Sequence, residues 1–215
     1  TVYGEPEVRP LAEDYPVAPV NPYGMSKLMT ERMLADVSRA HPINHCVLRY
    51  FNVAGADPAA RSGQATHGAT HLIKVALEAA LGKRDAVMVF GTDYPTPDGT
   101  GLRDYIHVSD LADAHVHALA ALIERPDRSM TLNCGYGRGF SVLEVLDAVD
   151  RVTGGRLTRT ITGRRAGDVA SLVSDNSRIL ASLPWRPRFA DLDTIVRDAL
   201  VWERRLEALR ATVDG

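Results

Sequence analysis

The chain has 215 residues, enough for one domain or for two small ones that share a core. Its 25 Lys and Arg residues nearly balance its 27 Asp and Glu residues, and no basic block is present that would follow a nucleic-acid backbone, so we expect no nucleic-acid partner. No run approaches the roughly 20 apolar residues of a membrane span, and Cys46 and Cys134 lie in apolar runs without metal spacing, so we expect a cytoplasmic protein with reduced core thiols.

Short apolar strands alternate with helical patterns along the chain. The predicted helices cover 22–40, 71–83, 110–123, 141–155, 175–183 and 191–209. The predicted strands cover 46–51, 86–91, 103–108, 130–135 and 157–161. Ser141 and Glu144 form a capping-box pattern at the start of the fourth helix, and paired glycines end it. This alternation predicts an α/β fold.

Two strand-like segments carry further information. The opening residues 1–4, a Val-Tyr pair followed by glycine, are typical of a buried strand that runs into a turn. A domain does not usually begin there, so we expect the sequence to be the second part of something longer. The run 46–51 is apolar without alternation, which is typical of a parallel strand covered on both faces.

Tyr23 and Lys27 lie on the first turns of the first helix, directly after Pro22. Residues at this spacing share one face of a helix. A cation held near a phenol favours the phenolate, so such a pair can serve as a general base or acid. The same spacing occurs in surface helices whose tyrosine and lysine merely pack together, and the pair alone leaves both interpretations open.

Six segments follow one another in the order and spacing of a known family. They are TVYGEP, NPYGMSKLMTE, LRYFNVAGADP, GTDYPTPDGTGLRDYIHVSDLADAHVHAL, NCGYGRGFSVLEV and RRAGD. From Thr1 to about Trp202 the chain resembles the extended short-chain dehydrogenase/reductase family, and within it the UDP-hexose 4-epimerases. The resemblance implies part of a doubly wound (Rossmann) parallel sheet plus a smaller α/β C-terminal substrate domain. The implied domains are 1–52 and 104–135 for the C-terminal part of the NAD-binding Rossmann domain, and 53–103 and 136–215 for the nucleotide-sugar substrate domain.

The resemblance also implies an activity, NAD-dependent epimerisation at C4 of UDP-glucose and UDP-galactose through a 4-keto sugar. Tyr23 would be the catalytic base that takes the proton of the 4-hydroxyl group, and Lys27 would hold the nicotinamide ribose and favour the phenolate. Tyr50 and Phe51 match positions beside the nicotinamide of NAD. The residues that match substrate-binding positions are Asn52, His71, Leu72, Met88, Phe90, Arg103, Tyr105, Arg165 and Asp168.

The chemistry of the charged residues is compatible with these roles. Two arginines on separate loops can neutralise a diphosphate with forked hydrogen bonds, and Asp168 can accept from ribose hydroxyl groups. Two simpler interpretations stay open. Arg103 could form an ion pair with the neighbouring Asp104, and Arg165 could be a solvated loop charge.

The sequence also departs from the family pattern. The Gly-rich phosphate turn and the acidic residue of a first βαβ half are not among these residues, nor is the Ser or Thr that assists the tyrosine. We therefore expect the chain to be inactive by itself, and a complete protein to be a homodimer. Lys74, Met88 and Leu172 depart from the usual residues and leave the sugar preference open. His67 and His71 have no third ligand, so no metal site is expected.

Two alternatives to the epimerase stay open. The first is a related extended-family enzyme, such as a sugar-nucleotide 4,6-dehydratase or decarboxylase. Dehydratases carry an Asp-Glu pair just before the Val-Tyr-Gly turn, and Thr1 occupies the place of the Glu, which favours the epimerase. The second is a truncated, non-catalytic UDP-sugar-binding remnant, which would bind UDP without NAD.

Overall fold

The computed structural model describes residues 1–7 and 10–213 of the chain. The helices are α1 (Pro22–Ala40), α2 (Leu72–Ala80), α3 (Val108–Glu124), α4 (Val142–Thr153), α5 (Ser177–Ser182) and α6 (Leu192–Val213). The strands are β1 (Cys46–Tyr50), β2 (Asn52–Ala54), β3 (Val87–Phe90), β4 (Leu102–His107), β5 (Met130–Cys134), β6 (Gly139–Ser141), β7 (Arg159–Thr162) and β8 (Ser171–Leu172). The predicted helices and longer strands are therefore confirmed to within a few residues, as is the α/β class. None of the helices described here is both long enough and apolar enough to cross a membrane.

Parallel pairing dominates the strands, as the α/β prediction requires. β1 pairs with β5, β2 with β4, and β3 with β7, all in parallel. β4 also takes β6 as an antiparallel neighbour and β8 as a parallel one. In this register Tyr105 lies opposite Asn52, and Arg103 lies opposite Phe140 and Leu172. β4 therefore gathers residues from three distant parts of the chain.

The structure differs from the sequence predictions at three short strands and at the opening turn. β2, β6 and β8 are not among the predicted strands, because strands of two or three residues carry no periodicity of their own and form only by pairing with β4. Val2 and Tyr3 are buried but form a turn. β1 is parallel, as predicted, but its residues are half-buried or exposed, so it is not covered on both faces in the described structure.

Two main apolar clusters organise the molecule. One joins α2, α4 and α6 with β3, and the other joins α3 and β5 with α5 and the fully buried Trp185. The first cluster follows the predicted substrate domain closely, apart from Tyr105. In the second, α5 and Trp185 pack against elements assigned to the cofactor domain. The division into two domains stays a prediction, and its residues 8, 9, 214 and 215 lie outside the described ones.

The ends of α4 follow the local sequence signals. Ser141 Oγ accepts from the Glu144 amide at 3.0 Å, and Glu144 Oε2 accepts from the Ser141 amide at 2.7 Å, which confirms the capping box. At the other end Gly154 has a φ of 72°, a left-handed conformation that glycine adopts without steric strain.

His107 caps α3 from within the core. Its fully buried imidazole accepts a hydrogen bond at Nδ1 from the Ser109 amide at 3.0 Å, while Nε2 lies 3.2 Å from Asp198 Oδ2. Because an accepting Nδ1 is unprotonated, the proton of the neutral ring is on Nε2 and is donated to Asp198. Burial lowers the pKa of His107 below its ordinary value of 6.5.

We expect the free energy of unfolding to decrease as the pH falls below about 6.5. In that range the unfolded chain protonates this histidine while the folded chain keeps it neutral, so stability is lost by up to about 1.4 kcal/mol per pH unit. Urea unfolding between about pH 7.5 and about pH 5.5 measures this slope, since the range brackets the ordinary histidine pKa. The His107→Asn variant keeps a capping acceptor at this position but has no titrating imidazole there. Its free energy of unfolding should therefore change less steeply with pH than that of the wild type. Equal slopes for the two proteins would contradict the prediction.

Candidate functional site

The Tyr23 and Lys27 pair lies where the sequence predicts it, on the first turns of α1. Asn21 begins the helix by accepting the Gly24 amide at 2.8 Å, and Pro22 occupies the first helical position. Tyr23 is 61% exposed, and Lys27 is exposed beside it. Lys27 Nζ lies 5.1 Å from the centroid of the Tyr23 ring. Both polar groups are therefore available to a ligand.

The pair opens into a cavity of about 300 Å³, here called the tyrosine cavity. Its walls include Tyr23, Lys27, Tyr50, Phe51 and Asn52. All the residues that the resemblance assigns to catalysis and cofactor binding therefore line one cavity. β1 supplies Tyr50 at its last position, Phe51 follows it, and α1 supplies the tyrosine and the lysine.

A second cavity, of about 490 Å³, lies next to the first and is here called the arginine cavity. Eight of the nine predicted substrate-binding residues line it: Asn52, Leu72, Met88, Phe90, Arg103, Tyr105, Arg165 and Asp168. Asn52 lines both cavities, because it begins β2 directly after β1 ends. A ligand in the arginine cavity could therefore extend past Asn52 towards Tyr23.

Arg103 is held in the wall of the arginine cavity. Its Nη1 donates to the carbonyl oxygens of Leu102 at 2.8 Å and Val169 at 2.9 Å, and its Nη2 lies 3.7 Å from Asp168 Oδ1. The guanidinium is fixed on one side by these contacts and keeps further N–H groups for a ligand. The ion pair with Asp104, which the sequence left open, does not form.

Asp104 has a structural role that sequence reasoning missed. The residue is fully buried, and its carboxylate accepts from the Tyr136 amide at 2.9 Å and the Gly137 amide at 3.0 Å. It also accepts from Ser174, at 3.1 Å from the amide and 2.6 Å from Oγ. Since side chains alternate along a strand, Asp104 points away from Arg103 and ties β4 to two distant loops.

Arg165 lies over the ring of Phe90, with Cζ 4.1 Å from the ring centroid. Both residues line the arginine cavity, so Arg165 is more than a solvated loop charge. Together with Arg103 it places two positive charges against the single negative charge of Asp168. The excess of positive charge suits an anionic ligand, and the aromatic face of Phe90 suits a planar one.

Tyr105 completes the wall beside Asn52. It is 5% exposed, and burial raises the pKa of its phenol to about 12. The hydroxyl group therefore stays neutral at physiological pH and can donate a hydrogen bond.

His71 is the one predicted substrate residue that the structure does not bring to the arginine cavity. It precedes α2 and lines a separate cavity of about 340 Å³ together with Lys74 and Glu203. Lys74, which departs from the family pattern, is buried there in ion pairs with Glu203 and, at 3.4 Å, with Glu78. The assignment of His71 stays a prediction that the cavity geometry does not support.

Comparison with known proteins gives consistent matches. Residues 1–135 match the NAD dependent epimerase/dehydratase family. The UDP-glucose 4-epimerase of Azospirillum brasilense is 58% identical over 206 residues, which are 96% of this chain and 59% of that protein. The UDP-glucose 4-epimerase of Rhizobium leguminosarum bv. trifolii is 44% identical over 203 residues, 94% of this chain and 62% of that protein.

Solved structures match in the same way. The UDP-glucose 4-epimerase from Stenotrophomonas maltophila, with bound NAD and formylated UDP-arabinopyranose, gives a TM-score of 0.93 at 42% identity over 97% of this chain and 62% of that one. The UDP-glucose 4-epimerase from Bifidobacterium longum, in complex with NAD+ and UDP, gives a TM-score of 0.87 at 39% identity over 95% of this chain and 61% of that one. The chain thus spans between 59% and 62% of the length of these four relatives. The matches confirm the resemblance and the Rossmann-like fold.

Proposed function

Because this chain belongs to the NAD dependent epimerase/dehydratase family, we propose that it takes part in the interconversion of UDP-glucose and UDP-galactose by epimerisation at C4. The observation that carries the proposal is the junction of the two cavities at Asn52. A cationic cavity suited to a nucleoside diphosphate shares this residue with the cavity of a tyrosine and a lysine suited to proton transfer. A UDP-sugar can occupy one cavity with its nucleotide and the other with its hexose.

The residues of the tyrosine cavity fit the nicotinamide end of NAD. Lys27 has no carboxylate partner in residues 1–7 and 10–213, so its ammonium group is free to donate to ribose hydroxyl groups. Tyr50 and Phe51 add aromatic surface suited to a planar ring. When bound, NAD supplies reversible hydride transfer at the sugar C4, which yields the 4-keto sugar.

Tyr23 carries out the proton transfer in this proposal. As the phenolate it accepts the proton of the 4-hydroxyl group when the sugar is oxidised, and it returns that proton when the 4-keto sugar is reduced on its other face. Lys27 places a positive charge beside the ring, with Nζ 5.1 Å from the ring centroid. Because the proton is returned, the tyrosine ends each cycle in its starting state.

The arginine cavity binds the nucleotide. Arg103 and Arg165 contact the diphosphate, and Asp168 accepts from the ribose hydroxyl groups. Phe90, Leu72 and Met88 provide apolar contacts for the uridine, and Asn52 and Tyr105 donate to the phosphate oxygens nearest the sugar. In this proposal the arginine cavity binds the nucleotide, and proton transfer takes place in the tyrosine cavity.

The proposal concerns the protein as its gene encodes it, since the relatives are longer than this chain. These 215 residues contain no Gly-rich turn that would hold the pyrophosphate of NAD after a first strand. By themselves we expect them to bind UDP weakly and not to turn over. The complete protein is proposed to act as a homodimer.

The test is to purify the encoded protein and incubate it with UDP-galactose and NAD. We expect conversion to UDP-glucose, together with UDP binding in calorimetry. UDP binding without turnover in the presence of NAD would contradict the proposal and favour a non-catalytic binding protein. A 6-deoxy-4-keto product would instead indicate a dehydratase.

A further inference from the structure

We propose that Glu31 and Arg49 form a positioning pair, which holds the helix of Tyr23 and Lys27 in the orientation that catalysis needs. The proposal rests on the function proposed above. Neither residue was singled out in the sequence. Both line the tyrosine cavity.

Among the described residues, apolar packing buries only the start of α1. Gly24 and Leu28 are the buried residues of this helix. Leu28 contributes to a small cluster with Val2, Tyr3 and Leu11. Within the described residues α1 buries side chains only near its start. A polar contact farther along the helix is therefore a second point at which α1 is attached to the described chain.

The Arg49 side chain supplies this second attachment. Its Nε donates to Glu31 Oε1 at 2.9 Å and its Nη2 donates to Glu31 Oε2 at 2.7 Å. The two side chains are only 12% and 14% exposed, so the ion pair is weakly screened by solvent. Nη1 of the same guanidinium donates to Tyr3 Oη at 3.0 Å and to the Glu13 carbonyl oxygen at 3.1 Å. Two parallel hydrogen bonds fix both the distance and the angle between α1 and β1.

The pair is placed to act on the catalytic face. Glu31 follows Tyr23 and Lys27 at the same spacing of four residues, so it extends their face of the helix. It lies about 6 Å along the axis from Lys27 and about 12 Å from Tyr23. On the strand, Arg49 directly precedes Tyr50. The paired hydrogen bonds between Arg49 and Glu31, here called the fork, therefore join β1 to α1, which form two walls of the tyrosine cavity.

Small rotations of α1 would be sufficient to disturb proton transfer. A rotation of about 10° moves an atom that lies about 6 Å from the helix axis by about 1 Å. A misplacement of about 1 Å can reduce an enzymatic rate by about 100-fold. Loss of the fork should therefore lower the rate of the chemical step without touching the reacting atoms.

The decisive variant is Glu31→Gln in the protein as encoded by its gene. It keeps the size of the side chain and removes the charge. We expect kcat to fall by at least about tenfold, while the Kd for UDP changes by less than about twofold because the arginine cavity is built from other elements. Amide hydrogen exchange should become faster in residues 22–34 and stay unchanged in α4 and α6. Arg49→Lys keeps the charge but cannot form the fork, so it should reproduce these effects.

The matched control is Asp193→Asn. This change removes an exposed ion pair between α4 and α6, in which Arg151 Nη2 lies 2.6 Å from Asp193 Oδ1. It should leave kcat, the Kd for UDP and the amide hydrogen exchange of α1 unaltered. A Glu31→Gln protein with kcat within about threefold of the wild type, or with faster exchange throughout the chain, would overturn the positioning role. A wild-type protein without epimerase activity would refute the proposed function instead. In that case, faster amide hydrogen exchange of the Glu31→Gln variant confined to α1 would still support the positioning of this helix by the pair. Unchanged exchange in α1 would refute that positioning.

Discussion

The Tyr23→Phe variant should lose about 1,000-fold in kcat, the largest effect expected of any single substitution in this chain. Phenylalanine keeps the ring over which Lys27 lies at 5.1 Å but has no group that can accept or return a proton. The Kd for UDP should change by less than about twofold, because the arginine cavity does not include Tyr23. Steady-state assays with UDP-galactose and calorimetry with UDP measure the two quantities.

Tyr15→Phe is the matched control for this experiment. Tyr15 Oη accepts from the Glu7 amide at 3.2 Å, and the residue lines neither the tyrosine cavity nor the arginine cavity. Loss of the Tyr15 hydroxyl group should leave kcat close to that of the wild type. If Tyr23→Phe retained more than about a tenth of the wild-type kcat, Tyr23 would not be the catalytic base.

The Arg103→Met variant should bind UDP about 100-fold more weakly. Methionine preserves an unbranched apolar stem but cannot donate to the diphosphate, and two charge-assisted hydrogen bonds contribute about 3 kcal/mol together. Calorimetry with UDP and with uridine separates this effect from a general loss of the cavity. The affinity for uridine, which has no phosphate groups, should be nearly unchanged.

Arg138→Met serves as the control for the arginine. Arg138 lies over Phe140, with Cζ 4.6 Å from the ring centroid, and is outside the arginine cavity. This variant should bind UDP like the wild type. If Arg103→Met bound UDP within about threefold of the wild type, or lost uridine affinity equally, the diphosphate contact would be refuted.

Local features of the structure were predictable from the sequence. The capping box of Ser141 and Glu144 and the glycine that ends α4 depend on contacts between residues three to five apart, and they form as predicted. The shared face of Tyr23 and Lys27 is equally local, because it follows from the helical repeat. The alternation of helices and strands predicted the α/β class, and the order of motifs predicted the family.

Some contacts of the candidate site were harder to predict. The adjacent charges Arg103 and Asp104 suggested an ion pair, but the strand sends their side chains to opposite faces. The alternation along β4 could have excluded that pair. No pattern in the sequence indicated that His71 would lie in a different cavity from the other predicted substrate residues.

The sequence by itself determined the helices and their ends, the tyrosine and lysine pair, and the family resemblance, because each depends on neighbouring residues or on the order of motifs. Only the tertiary structure decided that the two cavities meet at Asn52 and that Arg49 holds Glu31, which is 18 residues away. Such contacts join distant segments. They form when strands pair and a common core is buried, and this depends on the whole chain rather than on any one stretch of it.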